Sequence, residues 1–427
     1  MHNSTLTSAS IIVLVTVLAA CDAAPPTRSI ALHRDSAGVE IVESLEPMWS
    51  PDDGWTVSVD PLLRIGTGEG DAPFLFSNVE GVLLRADGGL IVADRASSEI
   101  RFFDSAGQHE RTVGRAGEGP GEFGYIRGIS RCGGDSLFVF ELDHQNKVFT
   151  SDGVYRREAR PFDAKTVDRR PYQLRCADNG YYVAVGWEPR VASGGPSESP
   201  PPIGFYRAQA PAWILAPTHA VQTGITTIEH AQLVIVADVG TFLSSERIGT
   251  ANGSRPHPFG RSLRLAISRD GIILGTGETT EVRQYSYDGT VARILRWPAA
   301  DLTIRPEDII AYRTAQLAEV SEDRRPALER SLLEMPMPPA FPAYTRLEGD
   351  PDGNIWAEEF SRPSQPAAHW TVFSRSGELL GRMRVPDDLE ITDIGSDRLV
   401  GIERDYLGVE RIVVYEIRKP TPDAVRT

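Results

Sequence analysis

The stretch VEGVLLRADGGLIVADRASSEIRFFDSAGQHERTVGRAGEGPGEFGYIRG, Val79 to Gly128, decides the fold. Its short apolar runs are separated by Asp87-Gly88, by a second turn around Ala96 to Ser98 and by a third at Phe103 to Gly107. Asp-Gly is favoured where a tight hairpin needs positive φ, so these turns predict four consecutive antiparallel strands. The glycine-rich tail, Gly114 to Gly121, resembles a phosphate loop only superficially. No Lys-Ser or Lys-Thr follows it and no helix pattern starts there, so its glycines and Pro120 read as the connection to the next unit.

The unit recurs. Inner turns stand at Asp87-Gly88, Gly134-Asp135, Asn179-Gly180, Asp270-Gly271, Asp352-Gly353 and Ser396-Asp397. Gly88 to Gly134 and Gly134 to Gly180 each span 46 residues, the length of a four-stranded propeller blade. The runs after these turns, such as Leu90 to Ala93 and Leu137 to Phe140, are continuously apolar, as expected of strands covered on both faces. Two intervals are long, 91 residues from Gly180 to Gly271 and 82 from Gly271 to Gly353. The first is read as long outer strands of a third blade with the loop Ala192 to Pro202 inserted; a whole extra blade is the alternative. The second holds a helical insertion over 305–334, opened by Pro306-Glu307-Asp308 and continued by apolar residues at helical spacing from Ile309 to Leu333.

The last unit, Glu390 to Arg418, supplies only three strands, while Val39 to Val42 and Trp55 to Gly66 supply strands without a blade. An open radial sheet would expose its edge, so an N-terminal strand is expected to complete the last blade. The predicted fold class is therefore all-β, a six-bladed β-propeller of four-stranded antiparallel blades over 37–418.

A net charge of −15 argues against a nucleic-acid partner, which would need a surplus of Lys and Arg. Residues 1–20 carry no charged side chain, and the apolar run Ile11 to Ala20 is too short to span a bilayer but suits a secretory signal. Leu18-Ala19-Ala20-Cys21 resembles the lipobox of bacterial lipoproteins, although the segment before it has only His2 in place of the usual Lys or Arg. That resemblance implies a signal peptide over 1–20, lipidation of Cys21, a tether over 21–36 and a membrane-anchored lipoprotein of the bacterial cell envelope, at the periplasmic face or cell surface. Residues 419–427 read as a tail. Cys132 and Cys176 each precede an inner turn in successive units, leaving two readings open: a disulfide between blades, which export would permit, or two buried thiols.

The turn pattern, the Gly114 to Phe123 connection and the Pro342 to Trp356 segment with its preceding helix resemble bacterial six-bladed β-propeller lipoproteins, similar to the NHL and TolB-like propellers. The resemblance covers about Val39 to Arg418. It implies a fold rather than an activity, because propellers host binding, scaffolding and catalysis alike. Propeller ligands usually sit at the channel mouth where inner strands begin, and the repeat register puts Glu80, Arg127, Gln173, Arg264, Arg346 and Asp393 there. Three arginines beside two acids can grip a carboxylate or sugar acid; the plainer reading is a ring of mutually neutralising ion pairs around water. The expected role is a binding or scaffold module without a cofactor, whose partner is an envelope protein or a small polar or anionic ligand.

The alternative is a hydrolase or lyase acting on a small lactone, ester or glycan, with Ca²⁺ as its possible cofactor. Lactonase-type propellers set Glu, Asn and Asp on a divalent cation; Glu80 matches the first, but Arg and Gln elsewhere do not suit a hard cation. The eight histidines show no ligand spacing, and no Gly-x-Ser-x-Gly elbow is present. Trp187, Trp213, Trp297, Trp356 and Trp370 read as blade packing, with sugar stacking the alternative for an exposed ring.

Overall fold

The inner turns form as the sequence predicts: Gly88 adopts φ 86° and closes its turn by donating to the Arg85 carbonyl at 2.9 Å. A computed structural model describes residues 30–50, 53–133, 135–142, 145–161, 171–186, 202–217, 230–251, 253–298 and 300–420. The signal segment, Cys21 and Trp187 lie outside the described residues. Blade one is Val79–Leu84, Leu90–Asp94, Glu99–Phe103 and His109–Val113. The pattern repeats with inner strands Ile126–Cys132, Pro171–Cys176, Arg264–Ser268, Tyr344–Gly349 and Leu389–Ile394 in blades two to six. Second strands such as Leu90–Asp94 and Tyr182–Gly186 are buried along their whole length, because each is covered by a neighbouring blade on both faces.

The first long interval belongs to blade three and adds no blade. Gly204–Pro217 and His230–Thr250 pair continuously, from Gly204 opposite Gly249 to Pro217 opposite Leu233. Their Leu215 end pairs with Tyr182 inside the blade. The rest, joined by Gly253–Pro256, extends beyond it as an arm. The longer strand also runs parallel to the outer strand of blade two, fusing the two sheets.

Ring closure follows the edge-strand argument. Leu63–Ile65 supplies the fourth strand of blade six, with Ile65 opposite Ile412 and Leu63 opposite Val414. Thr56–Val57 pairs with the far end of the same partner strand, Val57 opposite Ile417, while Ala31–Ser36 and Val39–Ser44 form a hairpin whose second strand runs parallel to Val291–Arg296 at the outer edge of blade four. The segment 31–36, expected to be tether, is thus a strand. Only Ala31 in it is buried, so backbone pairing holds it and no alternation of apolar residues marks it in the sequence.

The insertion is two helices, α1 Pro306–Ala318 and α2 Arg325–Leu333, at the mouth where the inner strands begin. Buried Asp308 caps α1 by accepting from the Arg305 N–H at 3.0 Å, and it receives Arg362 of blade five at 2.6 Å. Cys132 and Cys176, the last residues of two adjacent inner strands, form a disulfide with Cα atoms 5.1 Å apart. Among the described residues no helix is long and apolar enough to cross a membrane.

Candidate functional site

All inner strands run in one direction, so each begins at an upper mouth and ends in its inner turn at a lower one. They enclose a channel cavity of about 1340 Å³, and Glu80, Arg127, Gln173, Arg264, Arg346 and Asp393 all line it. Two of these residues are aimed by β-bulges. Val79 and Gly81 pair with Asp94 and Ala93, leaving Glu80 as the extra residue; Ile126 and Gly128 pair with Glu141 and Phe140, leaving Arg127.

Five of the six sit together in an upper tier; Asp393 does not. In blade six the bulge falls between Ile391 and Asp393, close to the turn, so Asp393 stands two residues before the turn residue Gly395. There it pairs with Arg131 at 2.6 Å and accepts from the Leu84 N–H at 2.7 Å. The upper position in blade six belongs to Glu390, which also lines the cavity.

The second-last residues of the inner strands make a lower tier. Arg131–Asp393 links blade two to blade six past Leu83, and Arg175–Glu348, at 3.2 Å, links blade three to blade five past Ile267. These pairs neutralise the lower tier, and of the six residues that the sequence placed at the channel mouth only Asp393 takes part in them. At the lower mouth, Asp87, Asp178 and Asp397 of the inner turns line the channel.

The upper tier is not neutralised in the same way. Glu80 is held by Arg95 at 3.1 Å and Glu390 by Arg404 at 2.6 Å. Burial raises the pKa of Glu80, working against the pull of Arg95 and Arg127. The one lactonase-like position is thus a salt-bridge partner, and among the described residues no group of three His, Cys, Asp or Glu is placed to hold a metal ion. On the other side of the ring, the side chains of Arg127 and Gln173 make no hydrogen bond or ion pair among the described residues, and Arg127 acts on Glu80 only through space. Arg264 is more telling. Its Nε is buried without a hydrogen-bond partner. Burial holds its guanidinium below the ordinary arginine value; nearby Tyr172 opposes this, and adjacent Arg346 adds to it. Glu358 acts on Arg264 only through space, since its carboxylate accepts from the Thr345 hydroxyl at 2.7 Å. Arg346 is tethered to the Ile391 carbonyl, lies over the Trp370 ring at 5.7 Å and reaches the Glu348 carboxylate of the lower tier at 3.8 Å.

Sequence reasoning missed Glu390, Arg131, Arg175 and Glu348, although counting back from each inner turn separates the tiers. It also missed Ser244, Ser245 and Arg247, which the blade-three arm brings to the cavity wall. The arm lies outside the repeat, so no periodicity points to it.

A 6-bladed beta-propeller family model matches residues 70–158, which is blade one and nearly all of blade two. The fold is a six-bladed β-propeller. A solved structure of a Bacteroides fragilis protein named as exported is 9% identical with a TM-score of 0.46, covering 89% of this chain and 100% of that one. A member of the duf4221 family from Bacteroides vulgatus is 10% identical, TM-score 0.44, over 86% and 99%. A virginiamycin B lyase from Staphylococcus aureus is 8% identical, TM-score 0.38, over 82% and 98%. A comparison with curated proteins finds no match.

Proposed function

We propose that this propeller is a cell-envelope binding module that holds a small organic anion, bound through a carboxylate, in the upper mouth of its channel. The observation that carries the reading is Arg264, a half-buried arginine whose Nε is buried without a protein partner and whose neighbour is a second arginine. A buried cation without a hydrogen-bonded counter-ion is costly, and a carboxylate matches the guanidinium fork in both charge and geometry. The module is carried to the envelope by the segment ending at Cys21 and anchored through a lipid on that cysteine. Palmitate labelling that survives Cys21→Ser would place the anchor elsewhere.

Thermal unfolding of the full chain with D-gluconate, and with D-glucitol as its uncharged counterpart, tests the site. Gluconate raises the melting temperature, glucitol does not, and Arg264→Met removes the gluconate effect. An equal shift with glucitol, or an undiminished shift in Arg264→Met, would contradict the reading.

A further inference from the structure

Taken in order around the ring, the upper-tier residues fall into two arcs. Blades six and one contribute Glu390 and Glu80, each already engaged by an arginine from outside the tier, Arg404 and Arg95. Blades two to five contribute Arg127, Gln173, Arg264 and Arg346, four hydrogen-bond donors on consecutive inner strands.

The charge of this donor arc is not gathered at one point. Arg264 and Arg346 stand on the inner strands of adjacent blades and line the same cavity wall, and Arg346 disfavours the charge on Arg264. Arg127 stands two blades from Arg264, exposed to the channel, with the neutral amide of Gln173 between them. No spare cation lies directly below, because Arg131 and Arg175 of the lower tier are held by Asp393 and Glu348. Like charges brought together in a partly dehydrated site favour one shared counter-ion. A single carboxylate placed between Arg264 and Arg346 would serve that pair and leave Arg127 unmatched.

Resting on the channel-mouth reading above, we infer that the ligand carries two separated carboxylates joined by an uncharged polar spacer. The first is shared by Arg264 and Arg346, the second lies on Arg127, and the Gln173 amide hydrogen-bonds the spacer. The ligand therefore lies along the arc, across blades two to five, with its second carboxylate on Arg127 at the end of the arc, beside a Glu80 already held by Arg95.

Titration calorimetry of the full chain with D-glucitol, D-gluconate and D-glucarate tests this, because the three share one carbon skeleton and carry no, one or two carboxylates. Glucarate binds tighter than gluconate by about tenfold or more, the scale of one added charge-assisted contact. Arg127→Gln, at an exposed position where refolding is not at stake, brings glucarate down to the affinity of gluconate and leaves gluconate unchanged. Arg264→Met abolishes binding of both acids. If gluconate binds in an Arg264-dependent manner but glucarate gains nothing, or if Arg127→Gln weakens both acids alike, the two-point inference is overturned and the single-anion reading stands. If neither acid binds, the channel-mouth reading falls and the inference falls with it.

Discussion

Half-buried Arg264 and fully buried His257 predict opposite behaviour on substitution. Arg264 has a buried Nε without a partner, so in the ligand-free protein Arg264→Met should leave the melting temperature unchanged or raise it, because a dehydrated charge is removed while the stem's packing is kept. A clear drop would mean that Arg264 is satisfied within the fold. His257 is fully used: Nδ1 accepts from the Phe259 N–H at 2.9 Å and Nε2 donates to the Pro336 carbonyl at 2.8 Å, tying the approach to blade four to the chain after α2. Burial, with Arg255 adding to it, lowers its pKa below 6.5, while Glu246 acts in the opposite sense. The neutral ring is therefore the one the fold selects. Its stabilising contribution is complete above the unfolded pKa of about 6.5 and is lost as pH falls through the lower folded value. Unfolding measured from pH 7.5 to 5 should show a steeper loss of stability for the native chain than for His257→Asn, and identical slopes would contradict the assignment. At this scale most of the upper tier was legible from strand position alone. Asp393 was not, because a bulge near the turn of blade six moves every residue after it by one place, and a one-residue shift changes which way a side chain points.

The elements were legible where a repeat exposes them and opaque where backbone pairing acts alone. Inner turns and apolar second strands marked six blades, and the missing fourth strand of blade six followed from the cost of an exposed edge. The hairpin Ala31–Ser36 and Val39–Ser44 was hidden because its outer strand buries almost nothing. Ring closure predicts a sizeable effect from a short strand. Ile65 is 6% exposed, packed among Leu90, Phe103, Ile412 and Val414 from both ends of the ring. Ile65→Ala should cost about 2–4 kcal/mol in urea unfolding, the range for a large-to-small change in a core. An effect below about 0.5 kcal/mol, the scale of a surface change, would show that the strand is not what closes the ring. The disulfide predicts a second effect. It closes a sequence separation of 44 residues between adjacent blades, so reductant should lower the stability of the native chain by about 2–4 kcal/mol and leave a Cys132→Ser, Cys176→Ser double variant unaffected. Complete alkylation of both thiols without reductant would rule the bridge out.

Across the whole molecule, the channel has two unlike ends. The upper mouth gathers Arg127, Arg264 and Arg346 within a chain of net charge −15, whereas at the lower one Asp87, Asp178 and Asp397 stand with Arg85, Arg269 and Arg398, Arg85 pairing with Asp87 at 2.7 Å and Arg398 with Asp397 at 3.1 Å. Between them the two cross-channel ion pairs occupy the lumen. An anion at the upper mouth meets Arg127, Arg264 and Arg346, and its approach is from the face where the inner strands begin. Nothing in composition foretold this, since the net charge alone points away from anions; the polarity comes from where six short strands begin and end. The most direct measurement is a crystal structure of the protein grown with D-glucarate. The account predicts one carboxylate within about 2.7–3.2 Å of both Arg264 and Arg346 and the other at Arg127. Glucarate bound elsewhere, or an Arg264 guanidinium hydrogen-bonded to a protein carboxylate above a channel holding water alone, would contradict it.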